Sequence, residues 1–355
     1  MSLTTDAWTA INGTNHAAIT VHWISQDWVQ HSRLLDVINL LEPIHSGEYL
    51  AQQLLSVTDD FKITNGVFTI TRDNASNNTS MLNQYEIQVA DKPTTTNQPW
   101  SFNVKGGDVR CMAHIINLAV QAALTTMKAV PLEELESYRV QEGLAHTRIN
   151  DIYSEKEEVV KALTKLRKHI YVFRNRRGWK DSLRSHAMAT GIKPTTLTID
   201  MPVRWNSTYY MLQNALLMES PITALCASQT LDMSKGHIQI SPKEWELLHV
   251  LAEFFEIFKR ASEKVQADGY PTLNYCVPYY LRLMDKIKKM KKTVKHTSIS
   301  EACTAAFNKL DDYFSLATSQ RSSHSTVATI CDPRFNFSIF DFYLPEGVHN
   351  ASKER

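Results

Sequence analysis

Residues 66–78 have the sequence GVFTITRDNASNN. A glycine precedes a run rich in β-branched and aromatic residues, which is the composition of a β-strand. The run ends at Asp73 in asparagine- and serine-rich sequence that favours a polar turn. This stretch therefore predicts a strand with the Asp73 carboxylate at its end.

The sequence before and after this strand alternates between strand and helix patterns. Short β-rich runs lie at residues 2–9, 16–24 and 33–40, and residues 47–61 then have helical spacing. An exposed loop is predicted at 91–107, followed by a strand at 108–114 that leads directly into an apolar helix at 115–127. These patterns predict a mixed sheet with helices.

Beyond Pro131 the pattern becomes helical. Amphipathic stretches lie at 155–173, 205–218 and 243–265, with few strand signals between them. We therefore predict an α/β protein with two parts: a sheet-containing domain over 1–128 and an all-α domain over 129–355.

Composition excludes some classes of protein. Hydrophobic residues at 43% and charged residues at 21% are typical of a globular chain. The net charge of +1 neither indicates nor excludes a nucleic-acid partner. Five scattered cysteines make a poor disulfide framework and favour a reducing compartment. No apolar run reaches membrane-spanning length, so we expect no membrane partner.

Asp6 lies inside the first predicted strand, and Asp73 ends a later one. Two carboxylates on neighbouring strands can share Mg²⁺, which prefers oxygen ligands and keeps positions open for phosphate. Such a site serves phosphodiester cleavage when it holds two ions. A structural interpretation also stands for each residue: Asp73 as a helix N-cap, and Asp6 as an exposed strand residue.

The order of the motifs is more specific than either acid alone. TRDNASNN at 71–78, RCMAHIINLAVQAAL at 110–124 and MPVRWNSTYYML at 201–212 occur in sequence, together with LTTDAWTA, HSGEYLAQQL and VATICDPRFNFSIF elsewhere. With these motifs the chain resembles the hAT superfamily of DNA transposases along nearly its whole length. The resemblance implies an RNase H-like mixed sheet interrupted by a large all-α insertion domain.

The resemblance also implies roles for individual residues. Asp6 and Asp73 match the first two metal-binding carboxylates of the family, with Mg²⁺ or Mn²⁺ as cofactor, and His114 matches a catalytic-site histidine that acts near the DNA. A buried, hydrogen-bonded core histidine is the alternative for His114. Four further residues belong to the matching motifs: Asn74, Asn77, Asn78 and Cys111.

Two parts of the family pattern have no match. These are the BED-type zinc finger that precedes the first strand and the C-terminal dimerisation region that carries the third acid, a glutamate. We therefore expect a truncated relative that binds metal weakly and leaves DNA uncut by itself, because a two-ion site loses one of its charged ligands.

Arg204 and Trp205 are candidate DNA contacts in the motif MPVRWNSTYYML. An indole can stack on an unpaired base while an arginine pairs with phosphate, and the resemblance implies such a tryptophan for a flipped base. A core aromatic beside a surface arginine explains the same residues.

A basic cluster at 165–184 contains Arg174, Arg176, Arg177 and Lys180, interleaved with aromatic residues. Guanidinium groups bind phosphate oxygens in bidentate fashion, so these four residues are predicted to bind DNA, with nuclear import as an alternative role. A second cluster, the lysines of 286–295, has the character of a solvated helix face.

Together these features predict a nuclear, hAT-type transposase fragment related to cut-and-paste transposition. Its predicted partners are DNA and either a full-length transposase or a second copy of itself, with no small-molecule substrate. The alternatives are a domesticated, non-catalytic module that binds DNA or protein, and a degraded gene without function.

Overall fold

A computed structural model describes residues 1–42, 44–92, 102–127, 158–201, 205–228, 239–267, 269–319 and 323–343. The chain divides into two compact units, one formed by residues 1–115 with 315–355 and the other by 116–314. This division differs from the predicted limits of 1–128 and 129–355. The difference arises because described residues of 323–343 belong to the sheet unit; for example, the His324 ring contacts the Phe68 ring edge-on at 5.3 Å.

The sheet unit contains five strands: β1 (Ser2–Thr9), β2 (Asn15–Ile24), β3 (Gln30–Leu40), β4 (Thr69–Arg72) and β5 (Asp108–Arg110). Their order is β3-β2-β1-β4-β5. β1, β2 and β3 are antiparallel neighbours, whereas β4 runs parallel to both β1 and β5. The predicted mixed α/β fold is therefore confirmed.

Helices follow the predicted periodicity. Their bounds are α1 Gly47–Asp60, α2 Ser76–Ala90, α3 Val104–Gly107, α4 Met112–Thr126, α5 Glu158–Asn175, α6 Arg177–Ala189, α7 Trp205–Leu217, α8 Glu219–Ser228, α9 Pro242–Val265, α10 Cys276–Thr293, α11 Thr297–Ser319, α12 His324–Cys331 and α13 Ser338–Tyr343. Within the described residues, no helix is both long enough and apolar enough to cross a bilayer.

Two predicted boundaries need correction. The strand expected over 108–114 ends at Arg110, because the Ile115 N–H donates to the Cys111 carbonyl and helix geometry begins there. The loop expected over 91–107 contains the short helix α3, which Asn103 caps by accepting the Gly106 N–H. Residues 93–101 of that loop lie outside the described residues.

The core of the sheet unit lies between one sheet face and helices α1 and α2. Alternate residues of β2 are buried there with Leu3 and Ile70, as a half-buried sheet requires. Gly47 lets α1 approach α2 closely, since a Cβ at this position would lie 2.3 Å from Ser80 Oγ and 2.7 Å from the Met81 nitrogen. This packing holds the start of α2, and the end of β4 before it, against the rest of the unit.

The helical unit has its own aromatic core. Phe254, Phe255 and Phe258 of α9 are fully buried. A capping box at Ser241 and Glu244 fixes where α9 begins, with Pro242 in the first turn. The predicted all-α character of this region is confirmed for the residues that the structure describes.

Candidate active site

Strand register brings three residues of the predicted site into one row. β1 and β4 pair in parallel as far as Thr4 beside Thr71, and Asp6 and Asp73 each lie two residues beyond that pair. On the other side of β4, Arg72 pairs with Arg110, and the Cys111 N–H donates to the Arg72 carbonyl at 2.9 Å. The row therefore crosses the carboxyl ends of three parallel strands, where open α/β sheets place their sites.

The Asp73 carboxylate is held by the turn that starts α2. Its Oδ1 accepts the Ala75 N–H at 2.9 Å and the Asn78 side-chain amide at 2.6 Å. The N-cap of α2 is Ala75, so Asp73 precedes the cap and forms an Asx turn. No described residue donates a hydrogen bond to Asp73 Oδ2, so this oxygen is available to a ligand.

The neighbouring asparagines link this turn to the surrounding elements. Asn77 donates to the His45 carbonyl at 3.4 Å, which connects α2 to the segment before α1. Asn74 accepts from Arg110 at 3.4 Å, and its buried amide nitrogen has no hydrogen-bond partner among the described residues. The asparagine-rich motif therefore connects the end of β4 to the neighbouring elements.

Four of the predicted site residues, Asp6, Asp73, Cys111 and His114, act on one another's pKa values and so lie near each other. Partial burial raises the pKa of Asp6, the charge of Asp73 raises it further, and the Ala7 N–H and His114 lower it. Burial likewise raises the pKa of the Cys111 thiol, and both aspartates add to that rise. Negative charge therefore accumulates at this edge of the sheet, which is the condition that a bound cation relieves.

The residues fit a divalent cation only in part. Two carboxylates provide hard oxygen ligands of the kind that Mg²⁺ and Mn²⁺ take, with water completing the coordination. Within the described ranges, no group of three or more histidine, cysteine or acidic side chains is arranged to hold a metal ion. The two carboxylates are therefore the oxygen ligands that this row offers to a divalent cation.

Arg72 is a site residue that sequence reasoning missed. Its side chain is 1% exposed, and its Nε and Nη2 donate to the two Asp108 oxygens at 2.9 and 2.7 Å. Nη1 donates to the Asp73 carbonyl, and Nη2 also to Thr79 Oγ1. One buried guanidinium therefore ties β4, β5 and α2 together around Asp73. An arginine inside an otherwise buried strand, with an aspartate at the start of the next strand, was the available signal.

Trp205 lies in the core of the helical unit. Its side chain is 4% exposed, and its ring stacks on Phe255 with centroids 6.2 Å apart and meets Phe258 edge-on. This burial is what the core alternative requires. Arg204 lies outside the described residues, and the base-stacking role of Trp205 stays a prediction.

The basic cluster forms the corner between α5 and α6. Four of its residues are exposed there, and within the described residues none of them forms an ion pair with an acid: Arg174, Arg176, Arg177 and Lys180. The corner therefore carries four exposed positive charges, as a phosphate-binding surface would.

Comparison with known proteins agrees with this architecture. The family described as the ZBED1 RNase-like domain matches residues 4–98, and the ZBED1 RNase-like helical domain matches residues 141–254. Together these matches cover more than half of the chain. The first includes both aspartates of the row, and the second includes Trp205 and the basic corner.

Three similar proteins illustrate the range of relatives. A putative AC transposase of Zea mays is 23% identical over 97% of this chain, and the match covers 37% of that protein. A putative transcriptional regulator, tpeD, of Talaromyces stipitatus is 23% identical over 96% of the chain and 36% of its own length. The zinc finger BED domain-containing protein RICESLEEPER 1 of Oryza sativa subsp. japonica is 22% identical over 96% of the chain, and the match covers 41% of that protein.

The chain spans about two fifths or less of the length of these relatives. Within that span it has the mixed sheet, the following helices and the ordered motifs. The chain is therefore a hAT-type, transposase-like protein built from an RNase-like domain and an RNase-like helical domain.

Proposed function

We propose that this chain binds DNA and that Asp6 and Asp73 share one divalent cation, Mg²⁺ or Mn²⁺, beside a DNA phosphate. The observation that carries the proposal is that β1 and β4 are adjacent parallel strands, paired as far as Thr4 and Thr71, and that each aspartate lies two residues beyond that pair. Partial burial and, after it, the charge of Asp73 raise the pKa of Asp6, which supports the proposal.

The chemistry is divided between the ion and the protein. A bound divalent cation polarises a phosphoryl oxygen and neutralises its charge. Asp6 and Asp73 supply the ligand oxygens, while Asn78 and Ala75 orient the Asp73 carboxylate through its Oδ1. His114 is close enough to lower the pKa of Asp6, which places its ring at the same edge of the sheet.

Two carboxylates are fewer than a two-ion site uses, so we expect this chain by itself to leave DNA uncut. A non-catalytic module that binds DNA or protein is accordingly the second candidate function. The similarity to a protein named as a putative transcriptional regulator favours it. Nuclear localisation, and a longer transposase or a second copy of the chain as protein partner, belong to the same proposal.

Metal binding is tested by titrating the chain with Mn²⁺ and following the free-ion signal by electron paramagnetic resonance. We expect binding that Asp73→Asn abolishes, because the amide keeps an oxygen for the Ala75 N–H but lacks the carboxylate charge. Asp27→Asn, an exposed position in the β2–β3 turn, is the matched control and should bind as the wild type does.

Two results would contradict this proposal. Mn²⁺ binding that persists in both Asp6→Asn and Asp73→Asn would remove the aspartates from the site. Nicking of a hairpin-forming DNA by the wild-type chain with Mn²⁺, lost in Asp73→Ala, would keep the site but overturn the expected inactivity.

The corner between α5 and α6 is proposed as the DNA contact, and its test is salt dependence. Replacing both Arg176 and Arg177 by glutamine should weaken binding to duplex DNA and reduce the slope of log K against log salt by about 2, since each lost phosphate contact contributes roughly one. Lys291→Gln with Lys292→Gln, on the exposed face of α10, removes equal charge and should leave the slope unchanged. Equal effects of the two pairs would show that net charge, and not this corner, governs binding.

A further inference from the structure

β3 forms an outer edge of the sheet. It covers Gln30–Leu40, and within the described residues its only strand neighbour is β2. Leu34 is 59% exposed and Val37 is 45% exposed on this edge strand. Backbone groups on the open side of an edge strand can bind another strand.

A bulge determines which side chains share a face of β3. Arg33 pairs with Val21 and Asp36 with Ile19, both of which point into the core, whereas Leu34 pairs with Thr20. The register shift makes Leu35 the extra residue. Arg33 and Asp36, three positions apart, therefore lie on the same face of the strand, which a regular strand would not allow.

The charges on this edge are complementary to themselves. Arg33 and Asp36 are exposed, and neither forms an ion pair with another described residue. Each is hydrogen-bonded to the backbone of its own strand: Arg33 donates to the Ser32 carbonyl, and Asp36 Oδ1 accepts the Val37 N–H, both at 2.7 Å. Because Leu35 is the extra residue of the bulge, Arg33 and Asp36 are the positions on either side of Leu34 in the strand register. If two copies of β3 run antiparallel about a two-fold axis at Leu34, Arg33 of each copy therefore faces Asp36 of the other. The two Leu34 side chains then meet on the opposite face. Opposite charges that face each other across strands stabilise such pairing.

We propose that β3 pairs with β3 of a second copy of this chain to form a two-fold symmetric dimer with a continuous ten-stranded sheet. The symmetry closes, because the same surface serves both copies. The backbone hydrogen bonds of the added strand supply affinity, and the two Arg33–Asp36 pairs set the register. This specifies the surface for the second-copy partner proposed above and is independent of the metal and DNA chemistry.

Charge reversal tests the register directly. Sedimentation velocity of the chain over a range of concentrations should show a reversible monomer–dimer equilibrium. Arg33→Asp alone or Asp36→Arg alone places like charges opposite each other and should shift the chain to monomer. The double reversal, Arg33→Asp with Asp36→Arg, restores opposite charges and should restore the dimer. Asp27→Arg, in the turn before β3, is the control for altered net charge and should remain dimeric.

Each outcome separates the hypotheses. Recovery in the double reversal supports edge pairing, and circular dichroism verifies that every variant is folded. A dimer that neither single reversal weakens overturns the β3 interface while keeping self-association. A chain that is monomeric at all concentrations overturns both, without bearing on Mn²⁺ or DNA binding.

Discussion

Arg72→Met is expected to lower the free energy of unfolding by about 3–5 kcal/mol, the loss typical of removing one partner from a buried ion pair. The substitution leaves the Asp108 carboxylate, 10% exposed, without its counter-ion. It also removes the donors to the Asp73 carbonyl and to Thr79. Chemical denaturation followed by circular dichroism measures the loss.

Two controls separate the buried pair from an ordinary surface charge. Lys92→Met breaks the half-exposed pair of Lys92 with Asp59 in the same unit and should cost at most about 1 kcal/mol. Arg72→Met combined with Asp108→Leu removes both charges and should recover much of the stability. A loss from Arg72→Met no larger than that from Lys92→Met would show that the guanidinium does not hold the end of β4.

Trp205→Ala is expected to have an effect of similar size, about 3–5 kcal/mol, because it empties a fully packed aromatic site. Its ring lies against Phe255 and Phe258 and is 4% exposed. Trp205→Phe retains most of the apolar contact and should cost under about 1.5 kcal/mol. The measurement is again chemical denaturation.

The same variants distinguish a core role from a base-stacking role. If Trp205 stacks on an unpaired base, folded Trp205→Ala should lose about 1–3 kcal/mol of affinity for hairpin DNA. With a core role, folded Trp205→Phe binds that DNA as the wild type does. An unchanged stability of Trp205→Ala together with weakened DNA binding would contradict the core assignment.

Local pattern was sufficient for most of the secondary structure. The β-branched runs became β1 to β4, and the apolar spacing of 47–61 became α1, because side-chain periodicity depends only on the chain's own geometry. The limits of β5 and the helix α3 were missed, because these elements are three and four residues long. Periodicity over so few residues carries little signal.

The candidate site was predicted as a set of residues, but not as an arrangement. Asp6 and Asp73 were identified from their places at strands and from the motif resemblance. The support of Asp73 by Arg72 was not, because a buried arginine pairs with a residue that is distant in the chain. For Trp205 the sequence left a base-stacking contact and a core aromatic both open, and only the packing against α9 showed that the side chain is buried.

The sequence by itself determined which segments are strands and helices, and the ordered motifs around TRDNASNN led to the hAT resemblance. Only the tertiary structure decided that Asp6, Asp73 and Cys111 form one row. The physical reason is that register between strands depends on how α1 and α2 pack on the sheet and on the buried Arg72–Asp108 pair. Those interactions join residues far apart in the chain, so a local sequence pattern does not predict them.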